Sequence, residues 1–415
     1  MDSRIKSKNS LGASNSPGGT MKYLYHHRTQ GLNVEGVHIR SICNAMVDLG
    51  NEVRLVSVTS TNDDYTKTPI TQKNNNPNKK PGLLKALAKK LPEPVFEFLE
   101  FGYNIYAFFR LWRVIHSYRP ERIYERYSLF LFSTLILGKI YGIPVIYEIN
   151  DSAQLVRLRP LFFKSIAAYI ERLTFKHSNG LVFVSKRLRQ IILDAYTDID
   201  VDNIVSPNAS NKNIFFFDEN KKTESKQTLN LNGKTVCGFI GCFAFWHGVH
   251  HFMEKIAPKL KSHPNLVLLL IGDGETLPKV KEIVNHHKLS NQVLLTGNVP
   301  HGEIINYVRA MDFSVLPSSN EYGSPMKMFE LMGAGVPLVA ADYPPVIEIL
   351  ENGKDGWLFP QGDFDACIDL LIDIHEHPEK ITKAAMLAEK KIHNQHQWQN
   401  NVNDLDALFR RSVKF

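Results

Sequence analysis

The sequence predicts an α/β protein of two doubly wound halves facing each other across a cleft. Three observations carry this. From Met21 onward, strand-like and helix-like segments alternate as βαβ units do. The strand-like segments of the second half, "CGFIGCF", "NLVLLLIGDG", "QVLLTGNV", "FSVLPSS" and "VPLVAAD", are continuous apolar runs, as in parallel strands covered on both faces. A linker-like stretch, "NKNIFFFDENKKTESKQTLN" (211–230), separates the two series.

In chain order, residues 1–20 are polar, lack the apolar region of a signal peptide and read as a disordered extension. The first half, 21–206, opens with the strand "KYLYH", the Gly-flanked loop "GLNVEG", the helix "VHIRSICNAMVDLG" and the strand "EVRLVSV". Residues 60–82 read as a polar loop and Leu83–Leu91 as a short basic amphipathic stretch. An aromatic helix from Val95 to Ser117 follows, set off by Pro92 and Pro94. "RIYERYS", "IPVIYEIND" and "GLVFVS" supply further strand-to-loop junctions, and "NIVSPNAS" closes the half. The second half spans 207–394, and the chain ends in strandless helix.

A chain of 415 residues has room for two cores, and 43% hydrophobic with 22% charged residues is ordinary for a globular protein. The net charge of +7 suits an anionic partner of any kind. No basic-aromatic nucleic-acid module is present, so that partner is excluded. No apolar run reaches the ~18–20 residues of a membrane span. Cys43, Cys237, Cys242 and Cys367 show neither CxxC nor metal-ligand spacing and read as reduced core residues of a cytoplasmic protein.

The chemistry concentrates in "EYGSPMKMFELMGAGVP" (321–337). Ser324 reads as an N-cap, Pro325 as the first helical residue, and Gly333 and Gly335 as the stop. Lys327 then lies in the first turn against the positive end of the helix dipole, a mismatch of ~0.3–1 kcal/mol if exposed. Helix N–H groups behind Gly323, Ser324 and Pro325, with Lys327 beside them, suit a diphosphate, and Glu330 could accept from a ribose diol. The bland alternative is a surface helix with a solvated lysine. Gly241, Trp246, His247 and Gly248, just past the strand in "GCFAFWHG", suit close approach to a ligand or form an ordinary turn with a packed Trp. "IGDGE", with Gly272 and Asp273, reads more simply as a structural turn. The strings "NDD" (62–64), "DID" (198–200) and "DFD" (363–365) read as solvated turns rather than metal ligands.

The SPxKxxE run resembles the nucleotide-sugar signature of the family 4 glycosyltransferases of the GT-B fold. The likeness continues in order from Met21 nearly to the end, through "HHRTQGLNVEGVHIRSICNAMVDLGNEVRLV", "RIYERYS", "PVIYEIND", "VSPNASNKNIF" and "GCFAFWHGVHHF". It implies two Rossmann-like domains and a retaining, metal-independent transfer, with no cofactor, from a UDP- or GDP-sugar to a glycan or lipid-linked acceptor. By the same resemblance Lys327 meets the diphosphate and Glu330 the ribose, while the backbone from Gly323 to Met326 meets phosphates and sugar. Gly31, Gly36 and His38 line the acceptor side, Asn150 and Asp151 lie at the donor sugar, and a helix of about 395–415 packs back on the first domain.

Three positions depart from the family pattern. Tyr322 stands where its first acid is expected, with Glu321 one residue off; His247 stands for a lysine, and Asn150 for a histidine. Two other readings share the architecture: a non-hydrolysing nucleotide-sugar epimerase and a silent sugar-nucleotide-binding scaffold. The lysines of 79–91 make anionic membrane a candidate contact, at the inner face of the membrane.

Overall fold

The computed structural model describes residues 19–29, 31, 34–57, 91–157 and 160–412. Most of the expected N-terminal extension, the 60–82 loop and the basic stretch up to residue 90 lie outside the described residues.

The first half runs β1 (Lys22–His26), α1 (Val34–Asp48), β2 (Glu52–Val56), α2 (Glu93–Tyr118), β3 (Arg122–Arg126), α3 (Ser133–Tyr141), β4 (Val145–Ile149), α4 (Lys164–His177), β5 (Gly180–Phe183), α5 (Lys186–Ala195) and β6 (Asn203–Val205). Its strands form a six-stranded parallel sheet in the order β2-β1-β3-β4-β5-β6. The second half runs α6 (Glu219–Thr228), β7 (Thr235–Ile240), a 3₁₀ turn (Phe245–His247), α7 (Val249–Leu260), β8 (Leu266–Ile271), α8 (Leu277–His287), β9 (Val293–Gly297), α9 (His301–Val308), β10 (Phe313–Leu316), α10 (Met326–Gly333), β11 (Leu338–Ala341), α11 (Pro344–Ile347), β12 (Gly356–Phe359), α12 (Phe364–Glu376) and α13 (Pro378–Gln395). The parallel order is β12-β11-β10-β7-β8-β9. The strand order reverses between β1 and β3 and again between β7 and β10, and in doubly wound sheets such reversals open a crevice at the carboxyl ends.

The apolar runs behave as their pattern predicts. All six residues of β8 are buried, with Leu268 and Leu270 in a core on one face and Leu269 and Ile271 in a core on the other. Two local expectations need correction. The stretch 211–230 is more than a linker: Phe215 is buried in the second half's core and α6 forms within it, capped by Asp218, whose Oδ1 accepts from Lys221 N at 3.0 Å. This helix buries none of its residues, so no apolar period announces it; Lys222 and Lys226 hold it on Asp312 at 2.8 and 2.7 Å. Cys242, expected inside, is exposed, because the chain leaves β7 at Gly241, whereas Cys43, Cys237 and Cys367 are buried.

The last helix, α14 (Trp398–Ser412), crosses to the first half. Its Trp398, Val402, Leu405, Leu408 and Phe409 pack with Tyr23, Ile39, Ile42 and Met46. Arg122 Nη1 reaches Asp406 at 3.0 Å and its guanidinium lies over the Phe409 ring at 5.1 Å. Phe409 is 1% exposed, so Phe409→Ala removes a fully buried ring. It should lower unfolding stability by about 3–5 kcal/mol in urea denaturation.

Candidate functional site

The β7/β10 crevice is built from the loops after these two strands. Gly241 leaves β7 at φ +153 and its N–H donates to Ile271 O at 3.0 Å, tying the loops after β7 and β8 together. Gly272 donates to Gly297 O at 2.9 Å, and a Cβ on it would stand 1.9 Å from Gly241 O. Both positions therefore demand glycine, one for its backbone angle and the other for backbone contact.

Into this loop reaches Lys327. A Cβ at position 241 would lie 2.8 Å from its Nζ, which sits 4.7 Å from the centroid of the Phe239 ring. The ammonium is buried and has no hydrogen-bond partner among the described residues. Burial lowers its pKa to about 7, against a small upward pull from the Cys242 thiol. His247, at the end of the 3₁₀ turn, is held at about 4 by burial and by the neighbouring Lys327, and its Nδ1 stands 3.5 Å from Ser318 O in the loop after β10. At neutral pH this histidine is therefore uncharged. Gly248, at φ +64, ends the turn, and a Cβ there would crowd Phe364 and Ser318 at 3.1 and 3.3 Å. Trp246 is 45% exposed at the rim.

The helix that carries Lys327 starts one residue later than its sequence suggests. Met326 is the first helical residue and Pro325 the N-cap, with no side-chain capping bond. Ser324 is not the cap because its Oγ is engaged elsewhere, accepting from Asn208 N at 2.9 Å, while Asn208 Nδ2 donates to Ser324 O at 2.5 Å. The Gly323 N–H is likewise taken, by Asn320 Oδ1 at 2.5 Å. Tyr322 turns inward: its ring packs on the first half's core and its carbonyl accepts from Ser185 Oγ at 2.6 Å, which leaves Glu321 exposed. The mismatch at Lys327 is thus a buried one.

One turn on, Glu330 is 6% exposed and its Oε1 accepts from His301 Nε2 at 2.7 Å. Burial opposes charge on His301, but the hydrogen bond and charge of Glu330 outweigh it and raise its pKa. Sequence reasoning missed this partner, although "NVPHGE" places His301 just after a strand.

The facing wall belongs to the first half. Gly31 has φ +66, and a Cβ on Gly36 would stand 1.9 Å from Gly31 O, so α1 begins in direct contact with the loop after β1. His38 is mostly buried between Asn208 Oδ1 at 2.6 Å and Glu148 Oε2 at 2.8 Å. Glu148 also accepts from Arg126 Nη1 and Asn150 Nδ2, both at 2.6 Å, and from Tyr124 Oη at 3.0 Å. Burial works against its charge, but His38, Arg126 and these hydrogen bonds prevail and hold the carboxyl well below the usual carboxylate range. Asn150 thus faces inward, whereas Asp151 lies 2.5 Å from Arg157 Nη1 and accepts from Ser152 N at 2.9 Å. Glu148, Arg126 and Asn208 were not singled out in the sequence; the signal for Glu148 was an acid inside the apolar strand "VIYEI".

Of the three aspartate strings, "NDD" lies outside the described residues. Asp198 pairs with Arg172 and Lys176 at 2.7 and 2.8 Å, and Asp363 caps α12 while Asp365 pairs with Lys255 at 2.8 Å.

Comparison with known proteins identifies the family and the fold. Residues 36–205 match the model of Glycosyltransferase Family 4, and residues 220–393 that of Glycosyl transferases group 1. An uncharacterized glycosyltransferase of Methanocaldococcus jannaschii is 22% identical over 292 residues, which is 68% of this chain and 73% of that one. The alpha-monoglucosyldiacylglycerol synthase of Streptococcus pneumoniae is also 22% identical, over 305 residues, 68% of this chain and 67% of its own. The solved structure of HepE from Anabaena in complex with UDP-glucose superposes with a TM-score of 0.66 at 18% identity, covering 94% of this chain and 100% of that one. With the two family models matching its two halves in order, the chain belongs to the family 4 glycosyltransferases of the GT-B fold and is a glycosyltransferase.

Proposed function

We propose that the protein transfers a sugar, with retention and without a metal, from a UDP-sugar to a glycan or lipid-linked acceptor. One observation carries the donor half of this reading: a buried, unpaired ammonium at the uncapped start of a helix, at the point where the strand order reverses. A diphosphate there gains the full charge of Lys327 and the partial charge of the helix N-terminus. UDP is preferred over GDP because HepE, similar in fold, binds UDP-glucose. The acceptor class draws on the S. pneumoniae relative, named for a glucosylated diacylglycerol.

In this reading Glu330 accepts from the ribose hydroxyls while His301 orients it, and the backbone from Gly323 to Met326 lies along phosphates and sugar. Asp151 stands toward the sugar while the neighbouring Asn150 is held on Glu148, and Gly31, Gly36 and His38 stand toward the acceptor. The bond from the anomeric carbon to the leaving phosphate oxygen breaks as that carbon bonds the acceptor oxygen on the same face. The acceptor proton passes to the departing phosphate, so no protein base is required. Lys327 stabilises the charge that develops on this group, an electrostatic effect worth about 10²–10³ in rate.

Lys327→Ala should therefore weaken UDP binding in titration calorimetry and lower kcat/KM by about 10²–10³; unchanged UDP affinity would overturn the anion site. Glu330→Ala should weaken nucleoside and nucleotide binding alike, as a ribose contact requires. Release of UDP coupled to acceptor glycosylation supports transfer, whereas a C2-inverted nucleotide sugar would indicate the epimerase.

The sign of the pH effect follows from Lys327. Folding lowers its pKa from 10.5 to about 7, so between those values the folded chain binds fewer protons than the unfolded one, and stability rises with pH across that window. Lys327→Met should remove this slope, up to about 1.4 kcal/mol per pH unit, and leave the unliganded variant the more stable protein at neutral pH. UDP favours the protonated lysine, so wild-type affinity should fall as pH rises above about 7, by at most about tenfold per unit, and the variant should lose that dependence.

A further inference from the structure

Helix α2 is apolar on both sides: Ala107, Leu111 and Ile115 pack in the first half's core, and its exposed side is apolar as well. Between Val95 and Trp112 every fully exposed residue is uncharged, among them Phe98, Leu99, Ile105 and Phe109 at 70%, 58%, 69% and 58% exposure. The polar groups of the same stretch point into the domain. Glu97 is buried and accepts from the N–H groups of Phe162 and Phe163 at 2.6 and 2.8 Å. Asn104 donates to Phe130 O at 2.7 Å and accepts from Phe132 N at 2.9 Å, and Glu100 takes Arg28 at 2.7 Å. An ordinary surface helix turns its charged residues outward instead. Neighbouring elements extend the apolar face. Phe162, held by Glu97, is 64% exposed just before α4, and at the other end Tyr141 of α3 bonds His116 Nδ1 through its Oη at 3.3 Å. A continuous apolar face of this kind marks a docking surface.

We propose that this face docks on an anionic phospholipid surface. Charge points to that occupant. The exposed cations Arg113, Lys139 and Lys164 directly adjoin the apolar positions of α2, α3 and α4, while Glu97 and Glu100 are turned inward and engaged. The exposed aromatics include Tyr106, Trp112, Tyr141 and Tyr169, whose polar tips suit the headgroup level. Among the described residues no helix is long and apolar enough to cross a membrane, and α2 is tied into the domain through Glu97 and Asn104, so the contact is interfacial. Residues 79–90, which the sequence offered for the same contact, lie outside the described residues, and the face on α2 is a separate one. Arg28, in the loop after β1, ties this helix to the acceptor-side wall, so docking sets that wall beside the lipid surface.

The test is vesicle flotation of the full-length protein without nucleotide, which scores docking independently of sugar transfer. Vesicles of phosphatidylcholine with phosphatidylglycerol are compared with pure phosphatidylcholine. The wild type should float with the anionic vesicles and less with the neutral ones. The double variant Phe98→Glu, Ile105→Glu, with unchanged circular dichroism, should lose binding by about tenfold or more. Met386→Glu, at a position 68% exposed on α13, should bind as the wild type does. Absence of wild-type flotation, or flotation of the double variant at the wild-type level, would overturn the proposal. So would a wild-type dimer, seen by sedimentation in place of vesicle binding and lost in the double variant, since a second copy would then cover the face.

Discussion

A buried ammonium with no counter-ion among the described residues is the constraint on which the second half's architecture turns. Desolvation of Lys327 works against folding, and the Phe239 ring, 4.7 Å away, is a weak substitute for water or a carboxylate. The surroundings are consistent with a group held ready for an anion. Gly241 sets no Cβ against the ammonium, and Gly272 lets two loops touch backbone to backbone. The adjacent His247 stays neutral, chiefly because it is buried and further because Lys327 would repel a second cation there.

A second constraint joins the halves. Asn208, in the segment between the sheets, holds Ser324 through backbone and side chain and hands its carbonyl oxygen to His38. His38 passes to Glu148, and Glu148 to Arg126 and Asn150. The loop that starts α10 is thus connected, bond by bond, to the carboxyl end of the first sheet. Tyr322 adds a packing contact across the same boundary, and α14 braces the first sheet from behind. Relative movement of the halves would have to break or carry this chain, which ties the position of the loop before α10 to that of the first half's facing wall.

The site was legible in the sequence to the extent that its signals were local. Lys327 was conspicuous because a cation in a first turn conflicts with the helix dipole whatever surrounds it. The glycines at 241, 248 and 272 follow strands whose apolar runs are unmistakable. Glu148 was half visible as an acid in a strand, but its partner His38 is 110 residues away. His301 reaches Glu330 across 29 residues, with no helical or strand period linking them. The choice between Tyr322 and Glu321 rested on a single-residue register, which Asn320 and Ser185 set by bonding the N–H and carbonyl of the Tyr322–Gly323 peptide.

What could be read from residue order alone was everything governed by near neighbours: the two parallel sheets, the start of α10 to within one residue, and the odd lysine in its first turn. Which face of α2 meets solvent, which carboxylate His38 and His301 each bind, and the lowering of the Lys327 pKa by burial all depend on groups distant in the chain. Desolvation and hydrogen bonding act through space at a few ångströms, whereas periodicity and propensity act along the chain, so only packing of the two sheets could settle them.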